Sequence, residues 1–181
     1  MMKAMIIPGN GNTDISENWF PYVKTELEKL GIEVIAENMP DPDLARKEYW
    51  FPFIEGKIGE DEDVILIGHS SGAVAIMRYL EDHKAKMAVL VGVCYTDLGS
   101  EHEELSGYYD SPWRWDKIKK NCPNIIQFAS RTDPYIPLEE ARFIADNLNT
   151  EYHEYPNLGH FGSDVQKTEF SEIVDVIRRN L

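Results

Sequence analysis

Short apolar runs alternate with helix-length amphipathic segments from one end of the chain to the other. The runs KAMIIP (Lys3–Pro8), IEVIAENM, VILIG, MAVLVGVC and NIIQFAS predict strands, and the weaker TEYHEYP predicts one more. Between them, WFPYVKTELEKLG (closing on Gly31), SGAVAIMRYLEDH, LEEARFIADNLN and KTEFSEIVDVIRRNL carry the period of helices with one apolar face. PDLARKEYWFPFIEGKI reads as largely helical, with Pro52 bending or ending it. VILIG and MAVLVGV are apolar without alternation, as strands are when both faces are covered. The expected fold is therefore α/β, a mostly parallel sheet of about six strands with helices on both faces.

The rhythm breaks once. Between Cys94 and Asn121 lies YTDLGSEHEELSGYYDSPWRWDKIKK, an irregular, aromatic-rich stretch. No Gly/Ser-rich or Pro-rich linker interrupts the chain elsewhere. The expected organisation is one domain over residues 1–181 with a loop insertion at 95–121.

In an open parallel sheet, sites collect at the carboxyl ends of the strands. After VILIG the chain reads Gly68-His69-Ser70-Ser71-Gly72 and then enters a helix. This is G-x-S-x-G in the strand–turn–helix setting that a nucleophile elbow requires. Glycines at the flanking positions let neighbouring backbones pass a sharp, strained turn. Ser70 is the central residue and the candidate nucleophile. Ser71 is the first helical residue, whose main-chain N–H is placed to stabilise an oxyanion.

A serine hydroxyl needs a base, and the base needs an orienting acid. On this kind of fold they follow the serine in the order acid, then histidine. SRTDPYIP puts Asp133 just past one strand, held out of a helix by Pro134. PNLGHFGSD puts His160 in a Gly-flanked loop past the next. His153 falls within a strand, His83 ends a helix and His102 belongs to the acidic loop, so His160 is the candidate base. A second oxyanion donor is expected from the loop after the first strand, Pro8-Gly9-Asn10-Gly11-Asn12, with the Asn10 amide favoured and that of Gly11 next.

The insertion carries Tyr95, Tyr108, Tyr109, Trp113 and Trp115, more aromatic surface than a solvated loop exposes. Folded over the sheet's carboxyl edge, it would wall a small pocket; the other reading is that its tryptophans only anchor the loop to the core. The pocket candidates are Gly9, Gly11, His69, Tyr95, Trp113 and Phe161.

Charge narrows the partners. Eighteen Lys and Arg against 32 Asp and Glu give a net charge of −14. That excess repels phosphate backbones and anionic lipid, which argues against nucleic-acid and membrane-surface partners and suits neutral or cationic small molecules. No apolar run approaches the roughly 20 residues of a membrane span. MMKAMIIPGN has one Lys and a very short apolar stretch before Pro8, which predicts no secretory signal. Cys94 and Cys122 have no metal-type spacing and read as reduced, buried thiols of a cytoplasmic protein, the alternative being a disulfide between them. No metal or organic cofactor is expected.

The segments PGNGNTD, ENMPDPDLARKEYWFPF, LIGHSSGA, SGYYDSPWRWDKIKKNCP and LGHF resemble the retinoblastoma-binding protein 9-like serine hydrolases of the α/β-hydrolase superfamily. The likeness runs nearly the whole chain. It implies a compact α/β-hydrolase fold and a Ser-Asp-His triad that falls on Ser70, Asp133 and His160. Retinoblastoma-protein binding in that family is associated with an L-x-C-x-E motif. Here the cysteines stand in Gly92-Val93-Cys94-Tyr95-Thr96 and Lys120-Asn121-Cys122-Pro123-Asn124, so that partner is not carried over. The expected function is a serine hydrolase cleaving a small ester, amide or short peptide. The alternative is a protein-interaction module on a hydrolase scaffold.

Overall fold

Along the first strand, successive side chains enter opposite cores. Ala4 and Ile6 join one buried cluster, Met5 and Ile7 the other, as the two-residue period of a strand dictates. Both clusters are closed by helices, which is why the central strands are buried at every position and mostly apolar. The molecule is described by a computed structural model covering residues 2–181; Met1, where the expected 1–181 domain begins, lies outside the described residues.

The strands are β1 (Lys3–Ile7), β2 (Glu33–Ala36), β3 (Val64–His69), β4 (Met87–Val91), β5 (Ile125–Ser130) and β6 (Glu151–Tyr155). They form one sheet in the order β2-β1-β3-β4-β5-β6, and every neighbouring pair is parallel. The helices are α1 (Phe20–Lys29), α2 (Lys47–Ile58), α3 (Ser71–Tyr79), α4 (Glu101–Glu104), α5 (Trp115–Asn121), α6 (Leu138–Leu148) and α7 (Ser171–Arg179). α1 and α7 cover one face through Phe20, Val23, Leu27, Ile173 and Ile177. α2, α3, α5 and α6 cover the other through Trp50, Ile54, Ile76, Ile118 and Ile144. No helix among the described residues is long and apolar enough to cross a membrane.

Two sequence expectations are corrected. α2 begins at Lys47, because Ala45 takes a positive φ of 55° in a turn where Asp41 grips the Arg46 main chain and guanidinium. The helix then continues past Pro52 to Ile58, so the proline does not end it. The proline lacks the N–H that would pair with the carbonyl four residues back, yet Trp50, Ile54 and Ile58 bury one stripe on both sides of it. Tertiary burial outweighs the local cost. α7 likewise starts at Ser171, later than the sequence pattern suggested.

From β1 the chain leaves to β2 on one side, then returns across β1 to β3 on the other. That reversal opens a crevice at the carboxyl ends of β1 and β3. Gly9 and Asn10 follow one of these ends, and Ser70 follows the other.

Candidate active site

Ser70 holds φ 54° and ψ −120°, between the last residue of β3 and the first of α3. A non-glycine residue in this region costs about 1–3 kcal/mol and persists only where its surroundings enforce it. They do so here by close approach. A Cβ on Gly68 would lie 2.5 Å from the Ala73 nitrogen, and one on Gly72 would enter the carbonyl oxygens of Ile7 and Pro8. The Ser70 N–H donates to the Val91 carbonyl at 2.8 Å, and its own carbonyl accepts from Ala73 and Val74 to start α3. Gly9 passes so near that a Cβ there would sit 3.2 Å from Ser70 Cβ. The main-chain N–H groups of Asn10 and Ser71 have no partner among the described residues.

Asp133 follows β5 on a turn in which its N–H donates to the Ser130 carbonyl at 3.3 Å. Its Oδ1 accepts from the Tyr135 and Ile136 N–H groups, each at 2.9 Å. Its Oδ2 accepts from His160 Nδ1 at 2.7 Å, and both side chains are almost wholly buried. A carboxylate at Nδ1 requires Nδ1 to carry the proton, which leaves Nε2 as a lone pair. The His160 loop is fixed from several directions. The His160 N–H donates to Asp164 Oδ1 at 2.6 Å, Leu158 N–H to Ser130 Oγ at 3.0 Å, and Gly159 N–H to Thr132 Oγ1 at 3.1 Å. Gly92, with φ 61° at the end of β4, lies beneath the pair: a Cβ there would stand 3.1 Å from His160 Cε1. Ser70 and His160 line one cavity of about 500 Å³.

His69 closes that cavity from below. Its Nε2 donates to the His160 carbonyl at 2.9 Å, its ring lies 4.8 Å from the His160 ring, and Nδ1 has no partner among the described residues. Burial, reinforced by the neighbouring His160, lowers its pKa from 6.5 to about 3. The unfolded chain therefore takes up this proton below pH 6.5 while the folded chain refuses it down to about pH 3. Stability is full above that window and falls through it on acidification, by up to about 1.4 kcal/mol per pH unit. The melting temperature should drop between about pH 7 and pH 4, and His69→Gln should flatten that drop. Parallel curves for the two proteins would contradict the buried neutral imidazole.

Of the sequence candidates, Ser70, His160, His69, Ser71, Gly9, Asn10 and Gly11 meet at this cavity, with Asp133 behind His160. Three pocket candidates do not. Phe161 is fully buried in the α1/α7 core, stacked on Phe170; its N–H donates to the Leu158 carbonyl and its own carbonyl accepts from Trp19 Nε1, both at 3.0 Å. Tyr95 stacks on Phe143 outside the cavity. Trp113 donates Nε1 to the Tyr95 carbonyl at 2.7 Å and packs its ring 3.8 Å from the buried Arg78 guanidinium. Arg78, on α3, also donates to the carbonyls of Tyr108, Ser111 and Pro112, so this face of the insertion is an anchor. The cavity wall comes instead from Cys94, Leu98, Glu103, Tyr109, Tyr135 and Ile136. Glu103 sits in the acidic run of the insertion, where no sequence pattern distinguishes it from its neighbours. Gly92 carried a weak signal, a glycine just past an apolar strand.

The serine hydrolase family model matches residues 4–179. Serine hydrolase RBBP9 of Rattus norvegicus is 45% identical over 99% of this chain and 95% of its own. YdeN of Bacillus subtilis is 25% identical over 98% of this chain and 95% of its own. The crystal structure of the B. subtilis ydeN gene product superposes with a TM-score of 0.90 at 24% identity, covering 99% of this chain and 98% of that one, which establishes the shared α/β-hydrolase fold. With its six parallel strands and a full-length match to RBBP9, the chain belongs to the serine hydrolase family.

Proposed function

We propose that this protein hydrolyses a small ester or amide, including short peptides, through an acyl-serine intermediate on Ser70. The observation that carries the reading is the buried 2.7 Å contact between His160 Nδ1 and Asp133 Oδ2 beside the cavity that Ser70 enters. It fixes the tautomer in which Nε2 accepts a proton.

Ser70 Oγ attacks the carbonyl carbon and His160 Nε2 takes the hydroxyl proton; the carbonyl π electrons move to oxygen. The N–H groups of Asn10 and Ser71 receive the oxyanion, both being otherwise unpaired. Collapse expels the alcohol or amine, which leaves with the proton from His160. Water then adds to the acyl-serine by the same route, giving the acid and restoring Ser70. Asp133 stays ionised throughout and holds the imidazolium that forms in each half.

The cavity favours small acyl groups: it holds about 500 Å³, with Leu98 and Ile136 as its aliphatic wall. Glu103 is its only carboxylate among the described lining residues, which disfavours anionic substrates. A p-nitrophenyl ester series from acetate to dodecanoate should give the highest kcat/KM among the short chains. No jump in rate should appear where the substrate forms an interface. A kcat/KM that climbs steadily to dodecanoate would contradict the small pocket.

A further inference from the structure

Glu103 lies 93 residues from Asn10 in sequence, yet its Oε1 accepts from Asn10 Nδ2 at 2.6 Å. Its Oε2 accepts from the Tyr109 hydroxyl at 3.4 Å, and that hydroxyl meets Cys94 Sγ at 3.3 Å. A carboxylate only accepts, so Asn10 and Tyr109 are the donors in their contacts with Glu103, while either group can donate in the contact between Tyr109 and Cys94. Burial keeps both of these groups protonated, raising the Cys94 thiol to about 12 and the Tyr109 hydroxyl far above its ordinary value. The chain of bonds therefore starts at the end of β4, which also carries Gly92 under His160, and finishes on the Asn10 side chain.

The Asn10 loop needs such a tether. It is flanked by Gly9 and by Gly11 at φ 67°, so its backbone has little intrinsic preference. Beyond Asn10 the loop is held by main-chain bonds from Gly11 to Asp43 and from Asn12 to Pro42, both 3.0 Å. The Asn10 carbonyl accepts from Thr13 Oγ1 at 2.8 Å. The Asn10 N–H has no partner among the described residues, and the side-chain bond to Glu103 is what fixes Asn10 across the cavity. Glu103 is itself well placed. α4 is capped by Ser100, and the Glu103 carbonyl accepts from Ser106 Oγ, while the Ser106 carbonyl accepts from the first N–H of α2 at 2.9 Å.

We infer that Glu103 is a positioning residue for hydrolysis: by gripping the Asn10 amide it aims the Asn10 main-chain N–H at the oxyanion. The inference rests on the acyl-transfer reading of Ser70. It also gives the insertion between β4 and β5 a role, since it supplies a brace that the sheet and its covering helices do not.

The test uses Glu103→Ala, Glu103→Gln, Asn10→Ala and the Glu103→Ala/Asn10→Ala double variant, on a neutral short ester and its aminoacyl counterpart. Deleting an oxyanion donor outright costs about 10²–10³ in kcat, so a donor that is present but loosely aimed should cost about 10- to 100-fold. Glu103→Ala should show that loss in kcat on both substrates, with KM within about twofold. Glu103→Gln should recover most of it, because its amide oxygen still accepts from Asn10 Nδ2. Asn10→Ala keeps the main-chain N–H and removes the tether, so it should match Glu103→Ala, and the double variant should be no worse than either single one. Fully additive losses would overturn the inference. So would a Glu103→Gln protein as impaired as Glu103→Ala with the defect confined to KM for the aminoacyl substrate, since Glu103 would then be serving a substrate ammonium. Residual wild-type turnover in Ser70→Ala would instead undercut the reading beneath it, so the two failures are distinguishable.

Discussion

Ser70→Ala should lose essentially all ester turnover, about 10⁶-fold in kcat, while melting close to the wild-type temperature. The fall is large because the hydroxyl is the bond-forming group and no other side chain in the cavity can replace it. Cys94 lies in the same cavity, but burial raises its thiol to about 12, so it supplies no thiolate at neutral pH. Stability should be spared because the elbow is held by the Ser70 main chain, through its bonds to Val91, Ala73 and Val74, and not by its hydroxyl. Ser71→Ala should keep most activity, since only the main-chain N–H of Ser71 is used. A Ser70→Ala protein with more than about a thousandth of wild-type kcat would refute the nucleophile.

Asp133→Asn should keep the fold and lower kcat by about 10⁴-fold. The amide oxygen of asparagine can still accept from the Tyr135 and Ile136 N–H groups, so the loop after β5 is preserved. The other half of the amide then faces His160 Nδ1 with N–H donors. Nδ1 must accept, the ring proton moves to Nε2, and the lone pair that should deprotonate Ser70 is gone. His160→Ala should be comparably severe. His153 offers no substitute: it stacks on Phe128 and its Nε2 contacts Glu151. Near-normal turnover in Asp133→Asn would show that the 2.7 Å contact is structural and that another group orients the base.

The sheet was legible because its chemistry is periodic and local. Short unbroken apolar runs bounded by turn residues fit strands covered on both faces, and the glycines around Ser70 mark a turn where backbones nearly touch. The three candidate residues each follow a strand, so chain order and strand order together brought them to one edge. What escaped was long-range and aperiodic. α2 crosses Pro52 because of burial on its far side, which no local propensity reveals. Trp113 reads as a pocket aromatic by composition, but the buried Arg78 on α3 claims its ring face. Phe161 follows His160 directly, yet at φ 54° it joins the core in the α1/α7 face, so sequence adjacency misled. Glu103 was hidden in an acidic run, and its contacts with Asn10 and Tyr109 across the cavity, which no local pattern reveals, separate it from its neighbours.

Covalent labelling tests the Ser70 assignment most directly. Purified protein is treated with a fluorophosphonate probe, digested, and the adduct mapped by mass spectrometry. The expected result is a single modified site at Ser70, lost in Ser70→Ala, retained in Ser71→Ala and strongly slowed in His160→Ala. An adduct on any other serine, or labelling of Ser70→Ala at the wild-type rate, would contradict it.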